Sequence, residues 1–79
     1  MKTPRDLSGE QLVQLLKKLG YQVVRQKGSH IRLRTNEPYE HSITIPNHSS
    51  LKVGTLNGIL SDIAEHLRIS KEELANRLF

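Results

Sequence analysis

The chain has 79 residues, 25% of them charged and 4% aromatic, with a net charge of +4 and no cysteine. One small domain is expected, near the lower size at which a single apolar core suffices, and disulfide and thiol chemistry are excluded. No segment approaches the roughly 18 apolar residues of a membrane span. The start, Met1-Lys2-Thr3-Pro4-Arg5-Asp6, has no apolar run behind its charges, so a cytoplasmic protein without signal peptide or membrane association is expected.

The charge is unevenly spread. Residues 1–60 hold nine basic and four acidic side chains, whereas residues 61–79 hold three and four. From Gln11 to Asn36 there is no acid, and Lys17, Lys18, Arg25, Lys27, Arg32 and Arg34 all fall in that stretch. A one-signed field over a connected region favours an anionic partner, with nucleic acid first; the alternative is a solvated surface that keeps a small protein soluble.

In chain order, Ser8 and Gln11 form a capping box, with Leu7 and Leu12 as its hydrophobic staple. Leu12, Val13, Leu15, Leu16 and Leu19 recur at helical spacing, and Gly20 ends the helix. Tyr21 to Gln26 reads as a strand bounded by glycines. Gly28-Ser29 suits a two-residue hairpin turn, with glycine first as a type II′ turn requires. A regular hairpin then sets Lys27 opposite His30, Arg25 opposite Arg32, Val24 opposite Leu33 and Val23 opposite Arg34. Alternation puts Val24, Ile31 and Leu33 on the apolar face, and Arg25, Lys27, His30, Arg32 and Arg34 on the other.

After the polar turn Asn36–Glu40, a third strand runs from His41 to Ile45 and stops at Pro46. Ile43 pairs with Leu33 and Ile45 with Ile31, which leaves Ser42 and Thr44 on the basic face and His30 beside Pro46. A loop leads to Thr55, read as the cap of a second helix whose buried stripe is Leu56, Ile59, Leu60, Ile63 and Leu67. A further capping box, Ser70 with Glu73, stapled by Ile69 and Leu74, starts a short last helix. The expected fold is α+β: α-β-β-β-α, a three-stranded antiparallel sheet with helices on one face, plus the short C-terminal helix.

The candidate chemistry lies on the basic face. Arg25 opposite Arg32 is a like-charge cross-strand pair that costs stability in isolation. A phosphate backbone would neutralise it; splayed stems and salt screening are the alternative. The three aromatic residues, Tyr21, Tyr39 and Phe79, fall elsewhere, so phosphate and shape contacts are favoured over base stacking. His30 follows a glycine turn and is ringed by Lys27 and Arg32. RNA carries its own nucleophile in the 2′-OH, so one histidine as base with cations on the phosphate could cleave it. From the residues alone, His30 is first a polar surface residue and only then a catalyst.

His48 is a second candidate beside His30, with loop fixation as the plainer role, and His41 and His66 show no such neighbours. No cofactor is expected: no metal-ligand spacing, Gly-rich phosphate loop, nucleophile elbow or paired carboxylate occurs.

Gly28-Ser29-His30, then Pro46-x-His48, then Leu51-Lys52-x-Gly54-Thr55-Leu56-x-x-Ile59-Leu60 resemble the HicA family of small bacterial toxins. The likeness covers nearly the whole chain, including the Leu12–Leu16 helix, Gly20-Tyr21 and the Ile69-Ser70 restart. It implies a fold like that of double-stranded-RNA-binding domains, spanning 1–79 as one RNA-binding endoribonuclease domain. It implies ribosome-independent cleavage of mRNA, a catalytic histidine at His30, and a HicB antitoxin partner that masks the active site. With His30 as base, Gly28 and Ser29 would admit the RNA backbone, and Arg25, Lys27, Arg32 and Arg34 would bind phosphates without a metal. Two rival readings use the same face: a non-catalytic RNA-binding module, and a domain that receives an acidic protein.

Overall fold

The computed structural model describes residues 6–79; Met1–Arg5, part of the stretch read above for a signal peptide, lie outside the described residues. Six elements follow in order: α1 (Gly9–Lys17), β1 (Gln22–Lys27), β2 (His30–Thr35), β3 (His41–Pro46), α2 (Val53–Leu67) and α3 (Lys71–Leu78). The strands form one antiparallel sheet in the order β1-β2-β3. This is the α+β arrangement expected from the sequence.

Ser8 caps α1 through the full capping box: its hydroxyl accepts from Gln11 N–H, and the Gln11 side chain accepts from Ser8 N–H. The chain leaves α1 through Gly20 at φ +99°, with Tyr21 N–H donating back to the Leu16 carbonyl. That left-handed step satisfies carbonyls the helix end would otherwise orphan.

The apolar face of the sheet follows from strand alternation. Ile31, Leu33, Ile43 and Ile45 are buried against Leu12, Val13 and Leu16 of α1 and Leu56, Ile59, Leu60 and Ile63 of α2. Leu67 is only partly buried at the end of that stripe. Leu74 and Leu78 close the core from α3, which packs on α2.

The β2–β3 register is the expected one, with Leu33 opposite Ile43, Ile31 opposite Ile45 and His30 opposite Pro46. The hairpin is partly different. Lys27 faces His30 and Arg25 faces Arg32, but Val23 pairs with Leu33 and Gln22 with Arg34. A bulge at Val24 takes up one residue, so Val24 shares Arg25's side instead of joining Leu33 on the apolar face. Val23 and Val24 stay 41% and 47% exposed, because β1 is an edge strand that the helices scarcely cover. Gly28 sits at φ +56° while Ser29 has no positive φ, which fits a II′ turn and excludes I′.

Two helix starts also differ. Thr55 does not cap α2: the helix begins at Val53 with extended Lys52 as its cap residue. Leu51, buried and held by its N–H to the Leu7 carbonyl at 2.8 Å, anchors the chain early enough for the first turn to form there. At α3, Ser70 accepts from Glu73 N–H, but the Glu73 carboxylate takes Arg77 at 2.7 Å rather than returning to Ser70. Half of that capping box is therefore present.

Candidate nucleic-acid interface

The open face of the sheet is built in three rows across the strands. Lys27, His30 and Pro46 form the first, Arg25, Arg32 and Thr44 the second, and Gln22, Arg34 and Ser42 the third. Each row exists because cross-strand partners share a face and because Ile31, Leu33, Ile43 and Ile45 hold the opposite face in the core.

An open groove of about 460 Å³ is lined by Arg25, Lys27, His30, Arg32 and Thr44. Four of the residues singled out from the sequence thus meet around one space. Thr44 joins them: its hydroxyl accepts from Arg32 Nη1 at 3.1 Å. That bond aims one arginine of the like-charge pair along the sheet, away from a freely splayed position. The signal for Thr44 in the sequence was only the alternation of β3. Arg34 sits one row further on and lines a separate cleft with Gln22, Val24, Thr35, Asn36 and Glu37.

Gly28 and Ser29 form the tip of the hairpin at the groove's end. A Cβ at Gly28 would meet nothing within 4 Å, so the approach to the turn is open. The Ser29 carbonyl accepts from Asn47 N–H at 2.6 Å, tying the turn to the loop after β3. The same loop is held to α1, since Gly9 N–H donates to the His48 carbonyl at 2.9 Å. His48 therefore fixes the loop through its backbone, and its exposed ring does not line the groove.

The groove suits a polyanion. It carries three cations and one imidazole, with no carboxylate among the described residues that line it. Guanidinium forks and an ammonium bind phosphate oxygens, while no Phe, Tyr or Trp among the described residues lines the groove to stack a base.

The model of the HicA toxin of bacterial toxin–antitoxin systems matches residues 9–64. The chain belongs to the HicA family. The matched segment contains all three strands, α1 and most of α2, and with them every residue of the groove. No curated protein and no solved structure matches the chain. Family membership makes this HicA chain a toxin-type protein whose partner is an antitoxin. Among the described residues no helix is long and apolar enough to cross a membrane, and no group of three or more His, Cys, Asp or Glu could hold a metal ion.

One cluster escaped the sequence. His41 and His66, expected to stand alone, stack with ring centroids 4.3 Å apart and planes at 14°. His41 bridges two partners, with Nδ1 2.7 Å from the Tyr21 hydroxyl and Nε2 3.1 Å from Asp62 Oδ1. A carboxylate only accepts, so Nε2–H donates to Asp62, and in the neutral imidazole Nδ1 then accepts the Tyr21 hydroxyl hydrogen. His66 Nε2 donates to the Glu37 carbonyl at 3.0 Å, and Tyr39 packs edge-on against its ring. Burial, helped by the charge of Asp62, pushes the Tyr21 hydroxyl up to about 12. These residues come from separate segments, so no spacing could have announced them. In this chain they form a strut that ties the β2–β3 turn to α2.

Proposed function

We propose that this HicA chain is an mRNA-cleaving endoribonuclease toxin in which His30 acts as general base. Arg25, Lys27 and Arg32 hold the phosphate in the groove, Gly28 and Ser29 leave room for the RNA backbone, and Arg34 extends the phosphate track into the next cleft. His30 takes the 2′-OH proton, the 2′-oxygen attacks the adjacent phosphorus, and the arginines stabilise the charge that develops. The reaction uses no metal. A HicB-like antitoxin silences it by covering the same face. The observation that carries this reading is the convergence of Arg25, Lys27 and Arg32 around His30 in a groove that faces away from the core.

The test is purified protein with RNA in EDTA, beside His30→Ala and a 2′-deoxy substrate. Cleavage by the parent, its loss in His30→Ala and resistance of the deoxy substrate are expected. Equal cleavage by parent and variant, or cutting of the deoxy strand, refutes the mechanism. Salt-sensitive RNA binding with no cleavage by either protein would make this a binding module.

A further inference from the structure

Cleavage at a 2′-OH needs two proton transfers, and His30 supplies only one. The base takes the 2′-OH proton as the O2′–P bond forms. The P–O5′ bond then breaks, and the departing 5′-oxygen must gain a proton to leave as an alcohol. In an in-line displacement these oxygens lie on opposite sides of phosphorus, so acid and base must flank the phosphate.

Among the described residues lining the groove, the remaining side chains are Arg25, Lys27, Arg32 and Thr44. A guanidinium does not release its proton in proteins, and the Thr44 hydroxyl, which accepts from Arg32, is no more acidic than the alcohol it would have to protonate. His48, the other imidazole near the sheet end, does not line the groove. Lys27 is left. It is the direct cross-strand partner of His30, and the two residues bracket the Gly28-Ser29 turn. They therefore share one face, about 5.5 Å apart at their Cα atoms if they exchange backbone hydrogen bonds as such pairs do. A phosphate seated over the open glycine turn would have the imidazole on one side and the flexible ammonium on the other.

We infer that Lys27 is the general acid of this site, protonating the 5′-oxygen as the P–O5′ bond breaks. This rests on the endoribonuclease reading above and adds a role that phosphate binding does not require. The products are a 2′,3′-cyclic phosphate and a 5′-hydroxyl. The proton gained by His30 and the proton lost by Lys27 balance, and water exchanges both afterwards.

The experiment compares the parent, Lys27→Ala, Lys27→Arg and His30→Ala on two RNA substrates, after circular dichroism establishes that each is folded. One substrate is ordinary RNA. The other carries a 5′-bridging sulfur at the cleaved linkage, a leaving group that needs no protonation. Both Lys27 variants should cleave ordinary RNA about 10²–10⁴-fold more slowly. On the sulfur substrate both should return to within a few-fold of the parent, while His30→Ala stays slow on both. Lys27→Arg keeps the charge but not the transferable proton, so parent-like cleavage of ordinary RNA by that variant overturns the assignment. Failure of sulfur to rescue Lys27→Ala also overturns it. If the parent cleaves neither substrate, or His30→Ala matches it, the endoribonuclease reading falls and the Lys27 role falls with it.

Discussion

Gly9→Ala gives a test in which helix propensity and tertiary packing predict opposite signs. Gly9 is the first residue of α1, where alanine is intrinsically preferred by up to about 1 kcal/mol. In the folded protein, however, a Cβ at Gly9 would lie 2.0 Å from the Pro46 carbonyl oxygen and 3.0 Å from Asn47 Cα. Both are backbone atoms, so no side chain can swing aside. The loop must move, and overpacking of this kind costs about 1–3 kcal/mol. Movement also strains the Gly9 N–H bond to the His48 carbonyl, 2.9 Å in the parent, at a further cost of roughly 0.5–1.5 kcal/mol. The net expectation is a loss of about 1–3 kcal/mol after the propensity gain. For a domain of this size that lowers Tm by roughly 5–20 °C. Urea and thermal unfolding followed by circular dichroism measure it. A Gly9→Ala protein as stable as the parent, or more so, would mean that the Pro46–His48 loop is not seated on α1. Because that loop also bonds Ser29 beside His30, the same variant should slow any RNA cleavage more than its folded fraction explains.

Two further outcomes follow from local geometry. Arg68 ends α2 at φ 57° with Ile69 N–H bonded to the Ala64 carbonyl, the same step that Gly20 makes after α1; Arg68→Gly should therefore stabilise the protein by about 0.5–1 kcal/mol in urea melts, and a destabilised variant would point to a contact of the arginine side chain that outweighs its backbone strain. Tyr21 holds its proton up to about pH 12 in the fold against 10.0 ordinarily, so the unfolded chain loses that proton first and stability falls as pH rises between those values, by roughly 2–3 kcal/mol at most. Tyr21→Phe should flatten that part of the stability–pH curve, and an unchanged slope would refute the assignment.

Much of the architecture was legible because short-range physics specifies it. The Leu12–Leu19 periodicity, the Ser8–Gln11 box, the Gly28-Ser29 turn and the alternation of Ile31, Leu33, Ile43 and Ile45 each act within a few residues. Together they place Lys27 opposite His30 and Arg25 opposite Arg32, since the turn length alone fixes those two pairs. The groove residues were readable for the same reason.

Tertiary structure decided what depends on residues far apart in the chain. Counting from the turn could not reveal the bulge at Val24, because a bulge is set by how an edge strand twists against the rest of the sheet rather than by its own alternation. Thr55 looked like a cap, yet α2 starts at Val53 once Leu51 is buried and bonded to Leu7. The stacked pair His41–His66, with Tyr21, Asp62 and Glu37, joins groups up to 45 positions apart in the sequence. Only folding brings them together: buried Tyr21 and His66 set their polar atoms against His41 and the Glu37 carbonyl, and exposed Asp62 closes the cluster from the solvent side. Sequence alone thus determined which face carries the charge and that His30 stands on it opposite Lys27; the folded chain decided that Thr44 holds Arg32 there, that His48 stays outside the groove, and that Arg34 lines a separate cleft.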